Sequence, residues 1–325
     1  MCFSERMEEL KCRIEDEIQK LFRDREPASL YQPMVHLLDG GGKRIRPLLL
    51  ILSCRAVGGR LEDCIDAALA VEILHTFTLV HDDIMDHDDI RRGRPTVHKK
   101  WDEPTAILAG DGLVTLAYQT LLKIKHPRLI AVLKTFTEGL LALCEGQTLD
   151  KEFETRNDVS IDAYDEMIGK KTAKLMEVAC EIGAILGNGV EEERIALKQF
   201  ATSLGKAFQI QDDLLDILSE EKVSGKPLGS DLIERKKTYL TIHFLNNATS
   251  SEKEHFLRLW GRNSMERRVV LQVKGLFEKV GTFQAAQRAV EGLISTALHN
   301  LDLLKSGEAK EDLRRLVFRI QERIS

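Results

Sequence analysis

Apolar residues recur at three- and four-residue steps from Met7 to Phe22, and the same period returns in Leu61 to Met85, Leu113 to Leu122, Leu129 to Leu149, Ala163 to Leu186 and Ile195 to Leu218. Steps of three and four place side chains on one side of a helix, whereas a half-buried strand alternates with period two. Alternating runs of Val, Ile and aromatic residues are absent and aromatic content is 6%, so no substantial sheet is expected. The pattern predicts an all-α protein. Turn signals separate the periodic stretches at Asp39-Gly40-Gly41-Gly42, Gly58-Gly59, Arg91-Arg92-Gly93-Arg94-Pro95, Gly187-Asn188-Gly189 and Ser224-Gly225-Lys226-Pro227-Leu228-Gly229, and none reads as a long linker. Helices that are apolar on more than one side must be wrapped by others, which predicts one large many-helix bundle, residues 1–325 forming a single domain. From Asn246 onward the helical period continues with little chemistry, as expected of scaffold or dimer support.

Composition narrows the function. The chain has 325 residues, 43% hydrophobic and 30% charged, enough for a large core and too apolar for a disordered chain. Its net charge of −5 is spread with both signs mixed, which argues against a nucleic-acid partner. The cysteines, Cys2, Cys12, Cys54, Cys64, Cys144 and Cys180, lie scattered without a Cys-x-x-Cys pair and read as reduced, structural thiols. The N-terminus enters charged amphipathic sequence at once, unlike a signal peptide. Apolar runs such as Pro47-Leu48-Leu49-Leu50-Ile51-Leu52 fall short of the ~20 residues a membrane span needs. A cytoplasmic protein without an integral membrane segment is expected.

Two aspartate-rich elements carry the chemistry. His81-Asp82-Asp83-Ile84-Met85-Asp86 places Asp82 and Asp86 four apart on one helix face, and Gln211-Asp212-Asp213-Leu214-Leu215-Asp216 repeats the spacing, as though two similar helix ends faced each other. Like charges so close repel, and a helix C-terminus makes matters worse because its macrodipole disfavours anions. A cation relieves both penalties. Mg²⁺ takes one or two carboxylates plus substrate phosphates, so two such elements imply a diphosphate and its metal-assisted departure. A solvated acidic face is the bland reading of either element alone. Gly40-Gly41-Gly42-Lys43-Arg44-Ile45-Arg46-Pro47 offers backbone N–H groups with Lys43 and Arg46 at a helix start, but lacks P-loop spacing. His75 lies seven residues before Asp82, almost two turns, and shares its face. Arg91 and Arg92 follow the first element, Lys170-Lys171-Thr172 sits in an otherwise apolar helix, and Lys226 and Lys236 follow the second. Two sets of cations around two acidic elements suit two diphosphates.

With these residues the sequence resembles the trans-isoprenyl diphosphate synthase (polyprenyl synthetase) family from about Gly40 to Leu240. Gly41 to Pro47, the two aspartate-rich motifs, Arg91-Arg92-Gly93-Arg94-Pro95-Thr96, Gly110-Asp111, Lys171-Thr172, Phe208-Gln209 and Gly225 to Asp231 occur in the family's order. The resemblance implies the isoprenoid-synthase bundle with a central substrate cavity, a homodimer, Mg²⁺, and condensation of isopentenyl diphosphate with an allylic diphosphate. It makes Asp82, Asp86 and Asp212 metal ligands, with Asp83, Asp213 and Asp216 in support. Lys43, Arg46, His75 and Arg92 match isopentenyl diphosphate positions. Arg91, Lys171, Thr172, Gln209, Lys226 and Lys236 match the allylic side, where Lys171, Thr172 and Gln209 would also turn oxygens toward a developing carbocation. Departing pyrophosphate is the implied base, since no His or Glu is an obvious candidate. One departure stands out: where the family commonly has Gly-Lys-x-Thr followed soon by Pro, this chain has Arg235-Lys236-Lys237-Thr238-Tyr239-Leu240, so Lys236 or Lys237 could reach phosphate, and Lys236 keeps the two-residue step to Thr238.

The growing tail should run back along the helix that ends at Asp82. Leu74, Phe77 and Thr78 precede that Asp and, at ~1.5 Å per residue, form a floor roughly 7 to 12 Å away. One aromatic just upstream and no insertion in the first motif resemble geranylgeranyl more than farnesyl diphosphate synthases, although a core aromatic explains Phe77 equally well. Farnesyl or longer products, a class I terpene cyclase, a non-catalytic subunit of a heteromeric synthase and a purely structural helical protein are the alternatives. The cyclase leaves Lys43, Arg46 and His75 without a task, and the subunit would more naturally have lost one acidic element.

Overall fold

A computed structural model describes residues 2–156, 158–218, 229–260 and 267–321. Its helices are α1 (Phe3–Phe22), α2 (Ala28–Leu38), α3 (Ile45–Ala56), α4 (Leu61–Met85), α5 (Val97–Lys100), α6 (Glu103–Leu121), α7 (Leu129–Thr155), α8 (Ile161–Ile168), α9 (Lys174–Leu186), α10 (Glu191–Leu218), α11 (Ser230–Ile233), α12 (Tyr239–Asn247), α13 (Ser250–Trp260), α14 (Arg267–Val280), α15 (Thr282–Asp302) and α16 (Glu308–Gln321). A π-helical segment, Gly169–Ala173, joins α8 to α9. The all-α expectation holds. The only strands among the described residues, β1 (Ile90–Arg91) and β2 (Arg94–Pro95), form a two-residue hairpin. Its central residues, Arg92 at φ 53° and Gly93 at φ 72°, are both left-handed, as a tight antiparallel turn requires.

Helix ends follow local chemistry. The Asp102 carboxylate caps α6 by accepting from the Thr105 N–H at 2.7 Å, and the Ser160 hydroxyl caps α8 by accepting from Ala163 at 3.1 Å. Three glutamates, Glu191 to Glu193, open α10 where the macrodipole welcomes anions. Asp82 and Asp83 instead sit in the last turn of α4, and Asp86 is its C-cap.

The described residues divide into two compact units. The first comprises Met1–Glu138, Val178–Lys198 and Leu303–Arg315. Here α4 packs against α3 and α6, and Leu49, Leu50, Ile51, Ala70, Val71 and Ile73 are fully buried. Each large side chain so removed from water contributes about 1.5–3 kcal/mol before conformational entropy is subtracted. Among the described residues α4 is long and apolar enough to cross a bilayer, a match the apolar runs in the sequence did not suggest, but 61% of its apolar stretch is buried in the protein, as in a core helix. A Cβ on Gly183 would lie 2.3 Å from the Leu50 carbonyl oxygen, so α9 and α3 meet main chain to main chain. Arg6 binds Asp312 in a part-buried bidentate contact, tying α1 to α16.

The second unit comprises Gly139–Glu177, Gln199–Asp302 and Leu316–Ser325. Its C-terminal helices close on an aromatic cluster in which Phe244 lies 5.1 Å from Phe256 and 5.3 Å from Phe277, ring centre to ring centre. That packing agrees with a scaffold role for the last third of the chain.

Candidate active site

In the first unit the second carboxylate of the acidic motif points inward. Asp83 is buried, with its Oδ1 accepting from Arg91 Nε at 2.5 Å, while Arg91 Nη2 lies 3.5 Å from Asp88 and 4.0 Å from Asp82. Burial raises the Asp83 pKa to about 6 against the pull of Arg91, and its Oδ2 is buried without a hydrogen-bond partner. Asp82 and Asp86 remain half-exposed. Four residues apart on one turn, they leave both carboxylates near solvent. Asp88, which shares Arg91 with Asp83, is a site neighbour that spacing alone did not single out.

The glycine-rich loop splits its cations. Arg44, left-handed at φ 49°, turns inward, donating to Glu72 at 2.7 Å and to the Leu38 carbonyl at 2.7 Å with both charged side chains almost fully buried. Lys43 on one side is exposed and Arg46 on the other half-exposed. Arg46 Nη1 donates to His75 Nε2 at 3.1 Å. A guanidinium cannot accept, so that nitrogen carries a lone pair and the His75 proton sits on Nδ1. Burial, followed by the fields of Arg46 and Arg92, pulls the His75 pKa well down and keeps the ring neutral. Arg92 donates to the Gly41 carbonyl, and a Cβ on Gly42 would lie 2.9 Å from its guanidinium, so glycine is what lets the arginine lie on the loop. Gly110 serves His81 similarly: a Cβ there would come within 2.1 Å of the ring.

Behind the acidic motif Leu74 is fully buried, the Thr78 hydroxyl donates back to the His75 carbonyl at 2.7 Å, and the half-buried Phe77 ring packs edge-on to His81 at 4.7 Å.

In the second unit the inward turn recurs. Asp213 is buried and accepts from the Tyr164 hydroxyl at 2.6 Å, the Tyr239 N–H at 3.0 Å and Gln209 Nε2 at 3.0 Å. The Gln209 Oε1 accepts from the Thr172 hydroxyl at 2.7 Å. Asp216 accepts from the Ser230 hydroxyl at 2.7 Å and from the Ser230 and Asp231 amides, and so caps α11. Asp212 is half-exposed. Among the described residues no three His, Cys, Asp or Glu side chains form a ready metal cage. Half-exposed carboxylates backed by buried ones that bind internal partners fit an ion that completes its shell with phosphate and water, and do not fit an all-protein cage.

Lys171 and Thr172 lie in the π-helical segment, where the sequence alone suggested ordinary helix. Single π turns inside α-helices concentrate at functional positions. Lys171 Nζ donates to Asp150 at 2.5 Å, whereas Lys170 faces Glu145 and Glu166 at 3.0 and 3.1 Å. Asp150 was missed in the sequence reading, as were Glu72, Tyr164 and Tyr239. The available signal was Gly146 inside an apolar helix, because a Cβ there would lie 2.3 Å from the Lys171 main-chain nitrogen.

Lys236 and Lys237 separate clearly. Lys237 is buried with Nζ 4.5 Å over the Trp260 ring, and burial lowers its pKa. Lys236 stays partly exposed, 2.6 Å from Glu234 and 3.9 Å from Asp231. Arg235, standing where the resemblance expects glycine, has φ 60°. A left-handed non-glycine residue costs about 1–2 kcal/mol and glycine about 0.5–1 kcal/mol of extra chain entropy. Arg235→Gly is therefore expected to stabilise the protein by ~0.5–1 kcal/mol, read as a higher urea midpoint at unchanged slope. Lys226 lies outside the described residues, as do most of the Ser224-to-Gly229 turn signals.

A family model described as polyprenyl synthetase matches residues 27–276. The short chain isoprenyl diphosphate synthase of Methanothermobacter thermautotrophicus is 39% identical over 310 residues, 95% of each chain. The crystal structure of geranylgeranyl pyrophosphate synthetase from Pyrococcus horikoshii Ot3 superposes with a TM-score of 0.93 at 38% identity, covering 99% of this chain and 98% of that one. A polyprenyl synthase from Caulobacter crescentus, solved in complex with calcium and isoprenyl diphosphate, has a TM-score of 0.89 at 26% identity over 99% of this chain and 98% of that one.

Proposed function

The chain belongs to the polyprenyl synthetase family, and from that premise we propose that it is a trans-prenyltransferase joining isopentenyl diphosphate to an allylic diphosphate, head to tail, with geranylgeranyl diphosphate as the favoured product. The observation that carries the reading is the repeated division of labour in the two acidic motifs: Asp83 and Asp213 are buried on internal partners, and Asp82, Asp86 and Asp212 stay near solvent.

In this reading Asp82, Asp86 and Asp212 hold Mg²⁺, which when bound neutralises charge on the leaving pyrophosphate. Arg91 and Lys171, held by Asp83 and Asp150, bring cations to the allylic diphosphate, with Lys236 and Lys226 in support. Lys43, Arg46 and Arg92 grip isopentenyl diphosphate. His75, neutral with its Nε2 taken up by Arg46, orients that guanidinium and adds no charge of its own. Thr172 and Gln209 turn oxygens toward the carbon that becomes cationic, and the departing pyrophosphate takes the final proton. Lys237, docked on Trp260, has no part in phosphate binding.

One domain, a homodimer and a cytoplasmic location complete the proposal. Helices α7, α9, α10 and α16 contribute residues to both compact units, which favours one domain. Exposed Leu108 within α6, Leu122 at its C-cap and Ile130 at the start of α7 suit burial against a second copy. Six free cysteines suit a reducing compartment.

The test is the mass of products made from labelled isopentenyl diphosphate with dimethylallyl, geranyl or farnesyl diphosphate, with Mg²⁺ and with chelator. A magnesium-dependent ladder ending at geranylgeranyl diphosphate is expected. Folded protein that elongates nothing overturns the proposal. In the same assay Phe77→Ala, which removes the ring packed against His81, is expected to lengthen the main product by at least one isoprene unit. A folded variant with the wild-type distribution would rule out Phe77 as the floor.

A further inference from the structure

The hydrogen bonds around Gln209 have a direction. Asp213 as a carboxylate can only accept, and the Tyr239 N–H, the Tyr164 hydroxyl and Gln209 all reach it. Gln209 must therefore give its NH₂ to Asp213 and turn its carbonyl oxygen the other way. That oxygen receives the Thr172 hydroxyl, so the only proton on the Thr172 side chain able to hydrogen-bond is already committed. At the Thr172–Gln209 contact itself the two oxygens have only lone pairs left for a third group, while the second Gln209 N–H belongs to the nitrogen turned toward Asp213.

We propose that Tyr164 is a positioning residue which, through Asp213, fixes the polarity of the Gln209–Thr172 pair so that oxygen lone pairs face the carbon that diphosphate leaves, with the Thr172 O–H spent on Gln209 and the Gln209 nitrogen turned toward Asp213. This deepens the proposed function and rests on it. A pair free to flip its amide presents the Gln209 NH₂ to Thr172, releases the Thr172 proton outward, and points a positive dipole at a developing cation. The Tyr164 hydroxyl opposes the flip. It occupies the same Asp213 oxygen as the Tyr239 amide, which leaves the other oxygen to receive Gln209. The tyrosine is deeply buried, with its ring edge-on to Tyr239 at 6.1 Å, so its hydroxyl has a single orientation. Networks of this kind gain from mutual polarisation and act without reorganising at the moment charge develops.

A merely structural tyrosine and a polarity-setting one differ in what they do to a cation. The test compares the wild type with Y164F on two allylic diphosphate analogues, one bearing an ammonium centre near the reacting carbon and one a thiolo-diphosphate whose carbon stays uncharged because it resists ionisation. Y164F is expected to bind the ammonium analogue about tenfold more weakly, ~1.4 kcal/mol, with kcat falling in parallel. Affinity for the thiolo-diphosphate and KM should change less than about twofold. Asp213 keeps two donors in Y164F, so the variant should fold, as its thermal midpoint will check. Y164H, which restores an N–H donor on a ring, should recover part of the ammonium affinity. Equal loss for both analogues, or none for either, overturns the inference. A wild-type protein that binds neither analogue overturns the prenyl-transfer reading and this inference with it.

Discussion

Asp82→Asn is expected to lower kcat by about 10³-fold, ~4 kcal/mol of transition-state stabilisation, while leaving the thermal midpoint near the wild-type value. The argument is positional. Asp82 is half-exposed at the end of α4, 4.0 Å from Arg91, so neutralising it removes a repulsion from the last helical turn while Arg91 keeps its closer partners Asp83 and Asp88. Its charge is expected to matter only once an ion and diphosphate are present. Asp83→Asn should behave in the opposite sense. It weakens the charged hydrogen bond from Arg91 to a buried carboxylate Oδ1 at 2.5 Å in a part-buried pair, and losing a hydrogen bond to a charged group costs about 1.5–3 kcal/mol. The measurement is paired: steady-state kinetics and thermal unfolding on both variants. If Asp82→Asn unfolds as readily as Asp83→Asn, the division between inward and outward carboxylates is mistaken.

The second large effect comes from a residue that carries no chemistry. In an open helix Gly→Ala stabilises by about 1 kcal/mol, and Gly292 on α15, with nothing within 4 Å of its virtual Cβ, should show that gain. At Gly146 the sign reverses. The new methyl would lie 2.3 Å from the Lys171 nitrogen and 2.8 Å from the Lys170 carbonyl carbon, main-chain atoms with no rotamer to escape into. Gly205 blocks retreat on the other side, because its own Cβ position is 2.5 Å from the Ala173 Cα. Gly146→Ala is expected to lose ~2 kcal/mol net by overpacking. It should also cost about 10²-fold in kcat, because the segment that moves carries Lys171 and Thr172. Denaturation of the two alanine variants side by side checks the stability claim. Two stabilised proteins would mean that α7 and the π-helical segment are less closely packed than described.

These two cases also show what the sequence could reveal. The stretch Leu61 to Met85 matches α4 residue for residue, because a long apolar run between the Gly58-Gly59 turn and the acidic motif reads as a helix buried on several sides. The Asp-x-x-x-Asp pairs were legible as well, since spacing four apart is itself a structural statement. Partners distant in the chain left no such trace. Asp150 binds Lys171 across 21 residues, Glu72 binds Arg44 across 28 and Tyr164 binds Asp213 across 49, and nothing local distinguishes those residues from ordinary helix positions. The π turn was illegible too, since one extra residue in a helix is decided by what presses on it. Gly146 and Gly205 were visible only as poor helix formers, and it takes the folded chain to show that their missing side chains make room for the segment between them.

The buried pairing of Arg44 with Glu72 bears on how the glycine-rich loop responds to heat. Water solvates ions less favourably as temperature rises, so the cost of keeping this pair dry shrinks on warming, while stabilisation per unit of apolar surface levels off. The anchor beneath Lys43 and Arg46 is thus strongest, relative to the packing around it, when the protein is hot. In the cold the same pair carries a larger desolvation cost, and the loop's attachment then leans more on the donation from Arg44 to the Leu38 carbonyl and the contact between Arg92 and Gly41.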